Sequence, residues 1–294
     1  MKRIFLFIVT NLAVLAVLSA VVFVIERVFG VRFPQNGLAG LLVFAAIFGF
    51  GGALISLALS KWTAKNAMGV RLIGAPQSDA ERWLLDTVAR LAAQARIGMP
   101  EVGIFDSEEM NAFATGARRN AALVAVSTGL LRGMSRPQVE AVLGHEITHV
   151  SNGDMVTLAL LQGVLNTFVI FVARIIGGLV DRALFRNDRE ESGIGFFLTT
   201  LVAQVVLGIL ASLIVAWYSR QREFRADRGG ADLAGVGGMI SALQALKSSH
   251  GEPMPQQLQA FGINTGGSGF MRLFMSHPPL DERIARLEAQ LVRP

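Results

Sequence analysis

Two histidines four residues apart enclose a glutamate in the pentapeptide His145-Glu146-Ile147-Thr148-His149. On a helix, side chains at i and i+4 share one face, so both imidazoles can reach one ion. Imidazole nitrogen suits zinc, and a catalytic zinc site keeps one position open for water. Glu146, next to the first histidine, is placed as the general base for that water. The ion lowers the water's pKa to about 7, and the carboxylate accepts its proton as it attacks a peptide carbonyl. The plainer reading is a solvated or core histidine pair. It weighs little, because the chain has only four histidines and the pentapeptide falls in a helical context.

Zinc needs a third protein ligand, and the histidine-bearing extension of metzincins is absent. A carboxylate is the remaining candidate, and the stretch Glu223-Phe-Arg-Ala-Asp227 is placed to supply it. Asp227, one turn after Glu223, is placed to orient a ligand histidine through its other ring nitrogen. Taken alone, the two acids also read as interfacial charges interleaved with Arg222, Arg225 and Arg228. Topology favours the ligand reading. The apolar segments Met155–Val180 and Gly193–Ser219 form a there-and-back hairpin that returns Glu223 to the side of the membrane where His149 left it.

The elements that must hold these residues are legible in outline. Ser135 followed by Gln138 is a capping-box pattern with Pro137 in the first turn, and Asn152-Gly153 is a stop, so the motif lies on a helix. Ser78 to Ile97 carries Trp83, Leu84, Val88, Leu91 and Ala92 at helical spacing. Three short β-rich runs, Glu101–Phe105, Asn111–Ala117 and Ala121–Ser127, predict a small meander. Arg222 to Leu233 and Ile240 to Lys247 read as helices separated by a break at Gly235, Gly237 and Gly238. A loop from His250 to Gly269 then precedes a last helix, Leu280 to Leu291, with Ile284, Leu287 and Leu291 on one face. His250 reads as a surface residue. Gly266, Gly267 and Gly269 suit a flexible loop, since no strand with a GxGxxG run supports nucleotide binding.

Apolar residues make up 52% of the 294 and charged residues 17%, with a mean hydropathy of +0.49. An ordinary soluble domain carries roughly 25% charged residues, so part of this chain must be solvated by lipid. Ile4–Ile25, Gly37–Ser60, Met155–Val180 and Gly193–Ser219 each meet the ~20 apolar residues a crossing needs. Only Arg174 interrupts them; near one end of its segment, its charge can snorkel to the headgroups or serve an intramembrane function. The first segment exceeds the ~7–15 apolar residues of a signal peptide and lacks a clear cleavage site, so a retained anchor is expected. Lys2, Arg3, Lys61, Lys65, Arg71, Arg220, Arg222, Arg225 and Arg228 flank one side, against Arg27, Arg32, Arg182, Arg186 and Arg189 on the other. The richer side is expected in the cytoplasm. The net charge of +5 is explained by these flanks; without a separate basic domain or tail, no nucleic-acid partner is expected. The absence of cysteine excludes disulfide scaffolds, thiol nucleophiles and Cys-ligated metals.

The chain resembles the HtpX-type membrane zinc endopeptidases, relatives of the CAAX prenyl proteases. The matching stretches are Asn111-Ala-Phe-Ala-Thr-Gly116, Val124-Ala-Val-Ser-Thr-Gly-Leu130, His145 to His149, Asn152-Gly-Asp154, Glu223 to Asp227 and Ser276-His-Pro-Pro-Leu-Asp281. The resemblance spans nearly the whole chain. It implies one zinc ion per chain on His145, His149 and Glu223, Glu146 as catalytic base and Asp227 behind the ligands. It further implies that Asn111, Ala112, Phe113 and Ala114 form an edge strand that pairs with extended substrate. His277 and Arg283 match positions that face the reacting carbonyl, to stabilise the oxyanion or bind substrate. Read alone, they are a loop residue and a solvated helix charge. Departures are few: the Gly-rich spacing from Gly229-Gly230 to Gly237-Gly238 suggests local looseness, and the outer loop from Leu184 to Ser192 is short.

The expected fold is an α-rich integral membrane protein with four transmembrane helices and a zincin-like α+β protease domain containing a small β-meander. Residues 1–60 form a first transmembrane hairpin and 61–154 the first part of the protease domain. Residues 155–218 form a second hairpin and 219–294 the remainder with the third ligand. The expected function is cleavage of misfolded or damaged membrane proteins at the cytoplasmic face of a bacterial inner membrane, under stress. Both termini then lie in the cytoplasm. Partners are protein and peptide substrates, the bilayer and other membrane quality-control proteases. One alternative is intramembrane proteolysis, but Ser135, Arg136, Glu140, Asn152 and Asp154 make the motif helix too polar for hydrocarbon. The other is a non-catalytic membrane scaffold or transporter component with a vestigial zinc site. Glu146 argues against it, since binding zinc does not require that residue.

Overall fold

The computed structural model describes residues 37–185, 194–249 and 277–291. The expected first membrane segment, the loop bearing His250, Gly266, Gly267 and Gly269, and outer-loop residues 186–192 lie outside them. The chain divides into two compact units. One comprises its described residues up to Ser56 with Thr157–Val215; the other comprises Leu57–Val156 with the described residues from Ala216 onward.

Three helices are long and apolar enough to cross a membrane: α1 (Leu38–Met68), α5 (Asp154–Phe185) and α6 (Ile194–Ala234). The chain is a multi-pass membrane protein, and three of the four expected spans stand among the described residues. In the first unit small residues let these helices close on one another. A Cβ on Gly49 would meet Thr167 Oγ1 at 2.3 Å, and one on Gly177 would meet Thr200 Oγ1 at 2.0 Å. Phe168, Phe197, Leu201, Val205 and Ile209 remain exposed, as residues facing lipid do. Arg174 lays its guanidinium 4.2 Å from the centre of the Phe44 ring.

All three helices outrun their apolar segments. At 41 residues α6 is about 61 Å long against a hydrocarbon core of about 30 Å. Nothing in Ser219–Arg222 breaks a helix, so the apolar segment and the expected helix Arg222–Leu233 are one rod. Its charge-rich stretch from Arg220 onward cannot lie in hydrocarbon.

The second unit is built around a four-stranded sheet of β1 (Arg71–Leu72), β2 (Glu101–Phe105), β3 (Ala112–Thr115) and β4 (Leu123–Ser127). Their order is β1-β2-β4-β3. The three expected strands form, but not as a meander. β2 runs parallel to β4, with Val102 opposite Val124, and β3 runs antiparallel to β4, with Phe113 opposite Ala125. All five residues of β4 are buried, so it needs a neighbour on each edge, and the chain leaving β2 must pass it before returning. Ser127 fixes that passage: its hydroxyl accepts from Asn111 N–H at 3.0 Å and donates to Glu109 O at 2.7 Å. Asn111 thus stands one residue before β3, which ends at Thr115.

Four further helices matter to the site. They are α2 (Asp79–Gln94), capped by the Ser78 hydroxyl, α4 (Arg136–Asn152), α7 (Val236–Ser249) and α8 (Leu280–Leu291); a short α3 (Thr128–Gly133) precedes α4. In α4 the expected capping appears as Ser135 N–H donating to Gln138 Oε1 at 2.9 Å, and Gly153 closes the helix at φ 70°. Leu143 and Ile147 of α4 are fully buried among Leu84, Val88 and Leu91 of α2, Val124 and Val126 of β4, and Leu243 of α7. Helix α4 is therefore an internal strut, held by apolar contact on one side and carrying its histidines on another. The expected break is narrower than three glycines. Gly235, at φ 91°, ends α6 alone, whereas Gly237 and Gly238 lie within α7. Ile284 and Leu287 of α8 are buried as expected, but Leu291, at the helix end, is exposed.

Candidate active site

His145 and His149 point from α4 toward Glu223 on α6. The two Nε2 atoms are 3.1 Å apart; Glu223 Oε2 is 3.4 Å from that of His145, and Oε1 is 3.3 Å from that of His149. Each imidazole presents its far nitrogen to a carboxylate: His145 Nδ1 to Asp227 Oδ1 at 3.0 Å, and His149 Nδ1 to Asp154 Oδ2 at 2.7 Å. A carboxylate only accepts, so Nδ1 carries the hydrogen in each ring and the Nε2 lone pairs face inward. With both rings neutral, three lone-pair donors therefore converge, and Glu223 Oε1 is buried without a hydrogen bond. Such a cluster is repulsive until a cation enters. Two imidazole nitrogens with one carboxylate form the ligand set of a catalytic zinc, leaving one position for water.

Electrostatics point the same way. Burial would push both imidazoles down, yet Asp227 and Glu223 raise His145, while Asp154 and Glu223 raise His149 to about 9. Glu223, just beyond the apolar part of α6, is pushed well below the carboxylate range by the imidazoles of His145, His149 and His277, against its own burial. The site calls for positive charge, which protons or a metal can supply in competition. Metal affinity therefore falls as pH falls.

Close approach of α6 to α4 makes this geometry available, and glycine makes the approach available. A Cβ on Gly230 would lie 2.9 Å from His145 N, and one on Gly229 would lie 2.4 Å from Thr148 Cγ2. The glycine pair thus tightens the site rather than loosening it. Gly230→Ala is expected to cost about 1–3 kcal/mol, as overpacking does, and to weaken metal binding. Thermal unfolding in detergent checks it; an unchanged midpoint would mean that the helices separate freely.

The remaining residues take distinct places. Glu146 is the only part-exposed residue of the pentapeptide, open where its neighbours are buried. His277 is exposed, with Nδ1 3.0 Å from Glu223 Oε2. Arg283 is buried rather than solvated: Nε donates to Asp227 Oδ2 at 2.7 Å, Nη2 reaches Oδ1, and Nη1 stands 3.9 Å from Glu223 Oε2. Burial opposes the charge of Arg283 but Asp227 raises its pKa, while Arg283 and His145 lower that of Asp227. Among the described residues β3 is one of the sheet's two outer strands, and it packs along α4. In the sequence Asp154 stands out as part of Asn152-Gly-Asp154 and as a polar residue flanking the motif helix, not as a partner of His149. The available signal was the helix stop at Gly153, which turns the next residue back toward the helix it follows.

A model of peptidase family M48 matches residues 78–291. The protein named Protease HtpX homolog from Thiobacillus denitrificans is 60% identical over 294 residues, covering 98% of this chain and 99% of its own. Protease HtpX from Alkalilimnicola ehrlichii is 59% identical over 295 residues, covering 98% of each chain. The crystal structure of S. mikatae Ste24p aligns with a TM-score of 0.64 at 19% identity, over 98% of this chain and 67% of that one. That last likeness is one of fold.

Proposed function

Because this chain belongs to peptidase family M48 and is an HtpX-type membrane zinc metalloprotease, we propose that it cleaves misfolded or damaged membrane proteins at the cytoplasmic face of a bacterial inner membrane. The observation that carries the catalytic reading is the convergence of His145, His149 and Glu223 lone pairs beside the part-exposed Glu146. In this reading 1–60 and 155–218 are the membrane hairpins, and 61–154 with 219–294 form the protease domain, with both termini cytoplasmic. A protease tethered to membrane helices meets other membrane proteins at high effective concentration, which supports a membrane quality-control role, with other such proteases as partners.

His145, His149 and Glu223 would hold one zinc ion, which supplies Lewis acidity toward the carbonyl and acidifies water. Glu146 takes the proton of the attacking water and delivers it to the leaving amine, as a general base positioned beside the ligands does. Asp227 keeps the His145 ring in the tautomer that offers Nε2, and Arg283 holds Asp227 by two hydrogen bonds. Arg283 therefore acts on the carbonyl's surroundings through Asp227, while exposed His277, with Nδ1 beside Glu223, would leave Nε2 for the developing oxyanion. Asn111 to Ala114 lead the substrate along the sheet edge as an added strand.

Metal removal tests this directly. Detergent-purified protein treated with a chelator should lose cleavage of casein or a model membrane substrate, and stoichiometric zinc should restore it. Cleavage that persists in metal-free protein would overturn the assignment.

A further inference from the structure

We propose that Asp154 is a positioning residue of the metal centre, fixing His149 as Asp227 fixes His145. The inference rests on the reading of His149 as a metal ligand. Asp154 is only 2% exposed, and its Oδ2 lies 2.7 Å from His149 Nδ1. Its other oxygen lies 3.8 Å from Nη2 of Arg225. On the far side of the site, Asp227 binds His145 with one oxygen and is itself held by Arg283. The centre thus contains the same arrangement twice, each imidazole backed by a carboxylate and each carboxylate faced by an arginine.

Local backbone makes the contact possible. Gly153, at φ 70° and ψ 32°, ends α4 and leaves no residue between it and α5, so Asp154 is at once the first residue of α5 and the fifth after His149. An acid at a helix start is favourable with the helix dipole for any orientation of its side chain. That general role does not require a buried carboxylate turned back onto an imidazole. The specific role does: a carboxylate on Nδ1 sets the tautomer, aims Nε2 at the metal and raises ligand basicity. The first residue of a membrane-spanning helix is thereby part of the centre.

The test is metal affinity of the full-length protein in detergent, by competition of zinc with a chelator, and the absorption of the cobalt-loaded form. Asp154→Ala is expected to weaken zinc by roughly 10–100-fold, the range for such outer partners, with Asp154→Asn in between. Asp154→Glu keeps an acid at the helix start but displaces its carboxylate by one methylene from the 2.7 Å contact with His149 Nδ1, so it should restore affinity only in part. At saturating cobalt, Asp154→Asn should shift the ligand-field bands, which a purely structural role would leave in place. Wild-type affinity in the alanine variant, or unshifted bands, would each overturn the proposal. A wild-type protein that binds no metal would instead overturn the ligand assignment on which it stands.

Discussion

Glu146→Gln is expected to abolish peptide cleavage while leaving zinc in place. Glu146 neighbours a ligand without belonging to the converging set, so its loss removes no metal-binding atom. What goes is the acceptor for the proton of the attacking water, and a positioned general base contributes typically 10²–10⁴-fold. The amide is nearly the same size as the carboxylate and sits at a part-exposed position, so the fold should be indifferent. The measurement pairs a cleavage rate with metal analysis on the same purified sample. Undiminished cleavage would remove the proposed mechanism. The variant also addresses the scaffold alternative, because a non-catalytic membrane protein with a vestigial site should keep its function without Glu146.

Glu223→Ala should show the opposite split, losing metal and activity together. Glu223 is 1% exposed, and its carboxylate stands within 3.4 Å of both inward-facing imidazole nitrogens. Its removal leaves two histidines, too few for a catalytic zinc site. The loss of affinity should exceed the roughly 10–100-fold typical of outer partners, and metal content after dialysis should fall far below one ion per chain. The deletion also takes the nearby carboxylate from part-buried Arg222, while Arg283 keeps Asp227, so some stability should be lost in the metal-free protein. Full metal occupancy in this variant would remove Glu223 from the ligand set.

Much of this could be read from local pattern. The motif helix, its cap at Ser135 and its stop at Gly153 are each set by residues within a few positions of one another, and the structure reproduces them. The last helix falls at Leu280–Leu291 as its apolar spacing requires. What escaped is non-local. The strand order depends on where β4 finds cover and on how Ser127 anchors the passage from β2 to β3, neither of which alternation in a single run encodes. The glycine pair read as looseness because a sequence shows a missing side chain but not the backbone that fills its place. Taken without the family resemblance, Arg283 reads as a solvated helix charge, because Asp227, which holds it in the buried site, lies far away in the chain. Asp154 followed a helix stop, and only the φ of Gly153 reveals which way the chain turns there.

The outward edge of β3 has a consequence for selectivity. Backbone N–H and C=O groups are the same in every residue but proline, so a guest that docks as a further strand is judged by its shape more than by its letters. The edge offers only the four residues Ala112–Thr115, with no basic or acidic group among them to prefer one composition of guest. A segment still wound into a native helix cannot present the row of groups that such an edge would accept under the proposed mode of substrate binding. Choice among clients then becomes a matter of conformational availability, and loss of native structure itself would mark a chain for destruction.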